Sequence, residues 1–457
     1  MNFPLFFGLV GLLGGIYIWI GKNASKDLET SDDYFLMGRN LTFFPLTLTL
    51  LATQLGGGTL LGAAQEAYQK GWIVLLYPLG ACIGLFVLGL GFGSKLRRLN
   101  ISTIAEIFEK IYRCRRQRYI ASLLSIVALF FILVAQGIAA RLFLVAMGAS
   151  NPIIFVIFWS VLVAYTVIGG LKAVVNTDIL QALFIIFALG LAYFSIDFSG
   201  QANVSVTTLE NVRATEVPWS SWLFMPLLFM LIEQDMGQRC FAAKNSRAIS
   251  FSALMAGVIL LFCSVIAIYF GVLARGMGIT VEGNSSILIE SMKALTNPVV
   301  CTVFMVAIFM AIISTADSLL CSISSNLSYD FLDSSNITED QRIRYSKLLT
   351  LITGLASLGM AFLFDNVVTM LMISYELSVC TLFVPIIAAL LSNRPSRSGS
   401  YLSMGLGALG FILFRQFDLI IPKEIMAVSL SLLGYFIGDR FWIPEESTGP
   451  VKKVRVN

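Results

Sequence analysis

The stretch Leu46–Tyr68, LTLTLLATQLGGGTLLGAAQEAY, begins as an apolar helix and then meets three consecutive glycines, Gly56, Gly57 and Gly58. Each glycine inside a helix costs about 1 kcal/mol relative to alanine. A run of three near mid-span predicts a break that frees the carbonyls of Ala52 through Leu55 from their helical partners. Within hydrocarbon such groups are tolerated only where they line a cavity or bind something. Two readings fit this segment: a cation site built on loose carbonyls, and a glycine seam that lets helices pack closely.

Composition sets the solvent for the whole chain. Apolar residues make up 57% of its 457 residues and charged residues only 13%, with a mean hydropathy of +0.84. The sequence therefore reads as an all-α integral membrane protein embedded in a lipid bilayer. About thirteen segments have the apolar length a span requires, from Phe3–Ile20 to Ile425–Phe441. The longest connections, after Ile196 and after Leu273, have about 20 residues, too few to fold alone.

Basic residues orient the spans. Lys95, Arg97, Arg98, Lys110, Arg113, Arg115, Arg116 and Arg118 all fall between the third and fourth segments, which predicts that this connection is cytoplasmic. Alternate connections then lie outside and are poor in basic residues; in the long ones only Arg213, Arg275 and Lys293 stand out, with Arg415 at the edge of a late short one. The N-terminus is expected outside, and the tail with Lys452, Lys453 and Arg455 in the cytoplasm. The first segment lacks a basic n-region and a small-residue cleavage site and reads as a retained helix. The net charge of +4 reflects the positive-inside bias, and no nucleic-acid partner is expected.

Several chemistries drop out. The chain has no histidine, which removes His-based zinc ligation, Ser-His catalysis and histidine proton relays. Its seven cysteines show no metal-ligand spacing and sit where disulfides are not favoured. No GxxxxGK[ST] phosphate loop is present; Gly89–Lys95 reads as packing glycines at a membrane exit. No nucleophile–base pair is visible, so an enzyme is not expected.

The informative residues are polar ones at membrane depth, where they are expensive. Asp178, in VVNTDILQAL, lies about 10 Å from the expected cytoplasmic face at 1.5 Å per residue. On the ninth segment Ala311, Ser314, Thr315 and Ser318 recur at i, i+3, i+4 and i+7 and share one helix face. Asp317 is offset from Ser314 by about 60°. Hard oxygen ligands without nitrogen or sulfur suit a hard cation. Interhelical hydrogen bonding explains the hydroxyls but not two carboxylates.

The segments SDDYFLMGRNL (Ser31–Leu41), ATQLGGGTLLG, IGGLKAVVNTDILQ (Ile168–Gln181), QDMGQRCFAAK (Gln234–Lys244), ISTADSLL (Ile313–Leu320) and LFVP (Leu382–Pro385) occur in this order. Together they resemble the sodium:solute symporter family, whose members include sodium/glucose, proline, pantothenate, sialic acid and choline cotransporters. The likeness covers essentially the whole chain.

The resemblance implies a LeuT-type core of two inverted five-helix repeats, residues 42–196 and 219–391. An extra helix and loop (1–41) would precede it and two helices with a basic tail (392–457) would follow, all in one transporter domain. The first helix of each repeat would be broken, the second break lying near Leu228–Gln234. The family's main sodium site maps onto Ala52, Leu55, Ala311, Ser314 and Thr315. A second sodium site, present in some members, maps onto Asp178, Ser314, Asp317 and Ser318. By position, Gln54, Gly58, Thr59 and Tyr77 would face the solute, and glutamine at 54 departs from the aromatic residue expected for choline.

Glu376, at depth in the eleventh segment, is open to three readings: pairing with a cationic solute, sharing a proton, or bonding neighbouring helices. Arg141 reads as a carboxylate clamp or a snorkelling side chain. Glu106 and Glu109 read as a solvated surface helix. The resemblance implies sodium-coupled symport of a small organic solute into the cell, by a monomer in the plasma membrane, the inner membrane of a bacterium. A proton-coupled relative using Asp178, Asp317 or Glu376, and a membrane sensor that has lost transport, are the alternatives.

Overall fold

The computed structural model describes residues 2–196, 217–279, 286–332, 337–364, 367–417 and 421–441. Arg213 and the tail residues Lys452, Lys453 and Arg455 lie outside them. Span α1 is Phe3–Ala24. Span α2 comes in two pieces, α2a (Phe43–Gln54) and α2b (Ala63–Lys70), joined through a π-helical turn at Gly58–Gly62. Span α3 starts at Leu76–Val87 and continues to Arg98, and α4 is Arg115–Ala146. The helical run Pro152–Phe194 holds two spans, α5 (152–169) and α6 (171–194), divided at Gly170.

The second half opens with α7a (Trp219–Ile232) and α7b (Gln234–Ala242). Then come α8 (Ser246–Gly276), α9 (Pro298–Asn326) and α10 (Glu339–Met360). Span α11 begins at Val367–Ser378 and resumes, after a π turn, at Val384–Leu391. Helices α12 (Arg397–Leu413) and α13 (Lys423–Phe441) complete the bundle. The interruption in α7 owes nothing to glycine: Pro226 removes one helical donor and Glu233 takes an extended backbone (φ −71°, ψ 135°).

Span α9 forms the axis, buried along nearly its whole length from Val300 to Asn326 and packed against α4, α5 and α6. Outer spans carry apolar stripes to the surface; on α8 these are Phe251, Met255, Val258 and Phe262, one helix face. Exposed apolar area of this kind is what a lipid solvent requires. Leu41 N–H donates to Ala242 O (2.9 Å) and Lys244 N–H to Leu41 O (2.8 Å), tying the entrance of α2a to the exit of α7b.

The basic end of the bundle is closed by ion pairs. Arg118 on α4 donates to the buried Asp330 (2.8 Å), to Glu109 (2.7 Å) and to Glu106 (3.2 Å). Thr103 and Ser122 add hydroxyl donors to Asp330 at 2.7 and 2.6 Å. The free solvated face expected from the sequence therefore holds only in part: Arg118 draws Glu106 inward, while Glu109, its side chain 41% exposed, pairs with the same guanidinium from the solvated edge. Burial raises the carboxyl of Glu106 above its ordinary range, against the pull of Arg118.

Gly170 makes the turn between α5 and α6 with φ 55° and ψ −148°, a backbone state open essentially to glycine alone. A Cβ there would lie 2.4 Å from the Tyr34 carbonyl oxygen, and the Tyr34 hydroxyl donates to Val167 O at 3.0 Å. Gly170→Ala is expected to cost about 2 kcal/mol or more from strain and overlap. Gly190→Ala, where an added Cβ meets nothing within 4 Å, is expected to leave stability unchanged. Thermal unfolding of the two variants in detergent makes the comparison.

Candidate functional site

Helix α2a stops at Gln54 because Leu55 leaves helical geometry (φ −81°, ψ 54°) ahead of the glycines. The carbonyls released there find hydroxyl donors. Ser314 Oγ reaches Ala52 O at 3.0 Å, Thr315 Oγ1 reaches Thr53 O at 2.9 Å, and Thr59 Oγ1 reaches Gln54 O at 2.8 Å. Ser314 and Thr315 also lie 2.9 and 3.3 Å from Ala311 O. Two hydroxyl protons thus serve three carbonyl oxygens, since each hydroxyl carries one proton and two lone pairs. A buried cluster rich in acceptors and short of donors is what a hard cation fits.

The structure brings Ala52, Ala311, Ser314 and Thr315 together. Leu55 sits buried at the break, while the second carbonyl reached from α9 is that of Thr53, which the sequence had not singled out. Gly56 explains the close approach: a Cβ on it would lie 2.7 Å from Thr315 Oγ1. Gly57 N–H, left without a helical acceptor, donates to Gln136 Oε1 on α4 at 3.2 Å.

A second polar cluster lies along the same seam. Asp178 Oδ2 on α6 accepts from Thr49 Oγ1 (2.5 Å) and from Arg239 Nη2 (3.3 Å). Arg239, wholly buried on α7b, also donates to Thr49 Oγ1 (2.9 Å), Ser318 Oγ (2.6 Å) and the Asp235 carbonyl (3.1 Å). Asp317 accepts from the Tyr165 hydroxyl and lies 3.5 Å from Ser318 Oγ. Asp178, Ser314, Asp317 and Ser318 are all on this seam, but Arg239 already bridges Asp178 to Ser318. The motif QDMGQRCF contains this arginine; its carboxylate partner, 61 residues earlier in sequence, leaves no local trace.

Between the two broken spans lies a cavity. Gln54, Gly58, Thr59 and Tyr77 all line it, with Gln136 and Thr315. From α7 and α11 come residues the sequence reading had not placed there: Phe229, Glu233, Asp235 and Tyr375. An acidic pair at i, i+2 beside a predicted break was the available signal. Glu376 lies apart from this cavity; Arg415 (3.0 Å) and Lys423 (3.5 Å) hold its carboxylate, joining α11 to the last two helices. Of its three sequence readings, helix bonding matches these contacts. Arg141 donates to Ala361 O (3.1 Å) and Phe364 O (3.0 Å) beyond the end of α10.

Removing one partner of a buried ion pair costs about 3–5 kcal/mol. Arg239→Gln is expected to destabilise the protein on that scale. Adding Asp178→Asn to it is expected to recover part of the loss, because the stranded carboxylate is then gone. Unfolding of both variants in detergent reads the difference.

Residues 34–407 match the sequence profile of the Sodium:solute symporter family. The chain is 25% identical to the sodium/pantothenate symporter of Haemophilus influenzae, over 96% of each chain. It is 26% identical to the sodium/proline symporter of Salmonella typhimurium, over 91% of each. Among solved structures, a substrate-bound, outward-open Na+-coupled sialic acid symporter superposes with a TM-score of 0.80 at 17% identity. That superposition covers 96% of this chain and 98% of the other, and the shared fold is of the LeuT type. The chain is a sodium-coupled transporter, not an enzyme, and belongs to the sodium:solute symporter family.

Proposed function

We propose that this symporter binds one sodium ion among the oxygens of Ala52, Thr53, Ala311, Ser314 and Thr315, and carries a small organic solute held in the cavity between the two breaks. The observation that carries this reading is the shared pair of hydroxyl protons at the α2a–α9 contact. When sodium arrives, Ser314 and Thr315 turn their lone pairs to it and the carbonyls gain a full positive charge in place of shared protons. Sodium then clamps α2a to α9.

The second expected set is already bridged by Arg239 and closed by Tyr165, so one sodium per cycle is the stoichiometry proposed. Thr315 belongs to the sodium cluster and to the cavity wall, so occupying one site shapes the other. Alternating access, with sodium favouring the state that binds solute from outside, follows from that shared side chain. A sodium ion entering down the membrane potential supplies about 2.3 kcal/mol per 100 mV, enough for roughly a 50-fold solute gradient.

The proposed setting is the plasma membrane, the inner membrane in a bacterium. The arginine-rich end around Arg118 faces the cytoplasm, following the positive-inside rule. Each chain works as a monomer. The repeats are proposed to span 42–196 and 219–391.

Ser314→Ala and Thr315→Ala are each expected to raise the sodium concentration for half-maximal solute uptake tenfold or more in proteoliposomes at fixed potential and pH. Gly56→Ala is expected to do the same by displacing Thr315. Sodium dependence unchanged in all three would overturn the site.

A further inference from the structure

The cavity wall is charged with one sign only. Glu233 and Asp235 both line it, at 7% and 1% exposure, and no lysine or arginine is among its described lining residues. Asp235 Oδ1 is buried without a hydrogen-bond partner. Arg239 stands behind the cavity, but its donors go to Thr49, Asp178, Ser318 and the backbone carbonyl of Asp235. The side chain of Asp235 therefore faces the cavity beside the Glu233 carboxyl, within hydrogen-bond reach of it, with Arg239 near both but donating to Asp235 only at its backbone carbonyl. Two buried carboxyls side by side, near one guanidinium already paired with Asp178, are costly to ionise together unless a further positive group comes to them.

Aromatic rings stand on the same wall. Phe229 and Tyr375 lie with ring centroids 4.7 Å apart, and Tyr77 lines the cavity beside them. Ring faces attract organic cations, most strongly when both are desolvated. Gln54, Gln136 and Thr59 supply neutral polar groups on the side of the first break. An anionic solute would meet two carboxylates and no positive counterpart, whereas a cationic one meets both charge and rings.

We infer that the transported solute is an organic cation, a protonated amine or a quaternary ammonium, whose charged head lies between Glu233 and Asp235 against Tyr77, Phe229 and Tyr375. This assignment rests on the sodium-symport reading and on the cavity being the solute site. Within that reading it excludes free carboxylic acids and phosphates as the preferred cargo. The cation leaves when the cavity opens to the other side, because the carboxylates hold it by charge and the rings by cation–π contact, without a covalent step.

The experiment uses the purified full-length protein in detergent. Its unfolding temperature is recorded in sodium chloride and in potassium chloride, with tetramethylammonium, butylammonium or agmatine as cationic probes. Butanol serves as the uncharged probe, and butyrate and L-proline as carboxylate-bearing ones. The expected result is stabilisation by at least one cation in sodium, reduced in potassium, and none by butanol or butyrate. Glu233→Gln and Asp235→Asn are expected to weaken cation binding tenfold or more while keeping the shift produced by sodium alone.

Tyr375→Leu, which leaves both carboxylates in place, is expected to weaken it severalfold. Stabilisation by butyrate, proline or butanol with none from the cations overturns the proposal, as does silence from all three cations while the sodium shift persists. Cation binding that survives both neutralising variants overturns it too. Loss of the sodium shift in the unaltered protein would instead count against the sodium site itself.

Discussion

A carbonyl freed in the middle of a membrane must be given a partner, and the contact between α2a and α9 is built on that requirement. Three glycines break the first helix, and the hydroxyls of Ser314 and Thr315 come to the carbonyls of Ala52 and Thr53. The approach is close because Gly56 has no Cβ to strike Thr315. The same feature that destabilises the isolated helix therefore sets the spacing of its contact with the bundle axis. In water those carbonyls would be solvated and the break would carry no such information.

Thr53 shows how three regions come to share one side of a helix. Its carbonyl accepts from Thr315, its hydroxyl lies 3.1 Å from Ser318 in the ionic cluster, and it lines the cavity. A shift of α2a against α9 moves the proposed cation site, the cavity and the Asp178–Arg239 pair together. Coupling between sites needs an element whose arrangement both ligands bias. This seam is the natural candidate, because its polar contacts are few, buried and mutually dependent.

The parts of this architecture legible in sequence were those governed by local physics. The triple glycine announced its break, and the i, i+3, i+4 spacing of Ala311, Ser314 and Thr315 announced one helix face. Asp178 stood out because a carboxylate at that depth is costly. Pairings across long separations were not legible. Arg239 meets Thr49 from 190 residues away, and Arg118 meets Asp330 from 212; no periodicity records either. The second break at Glu233 carries no glycine, so its position was bounded by the family likeness and fixed only by the backbone. Glu106 looked like part of a solvated face because amphipathic spacing cannot say whether a partly buried guanidinium waits opposite.

The bridge from Glu376 to Arg415 and Lys423 bears on how separable the last two helices are. Viewed as an appendage, α12 and α13 invite trimming to a minimal bundle. A shortened chain would strand the carboxylate of Glu376, only 4% exposed, with neither of its cations. The terminal pair is therefore not modular: the charge balance of α11 is completed by residues that only these helices bring.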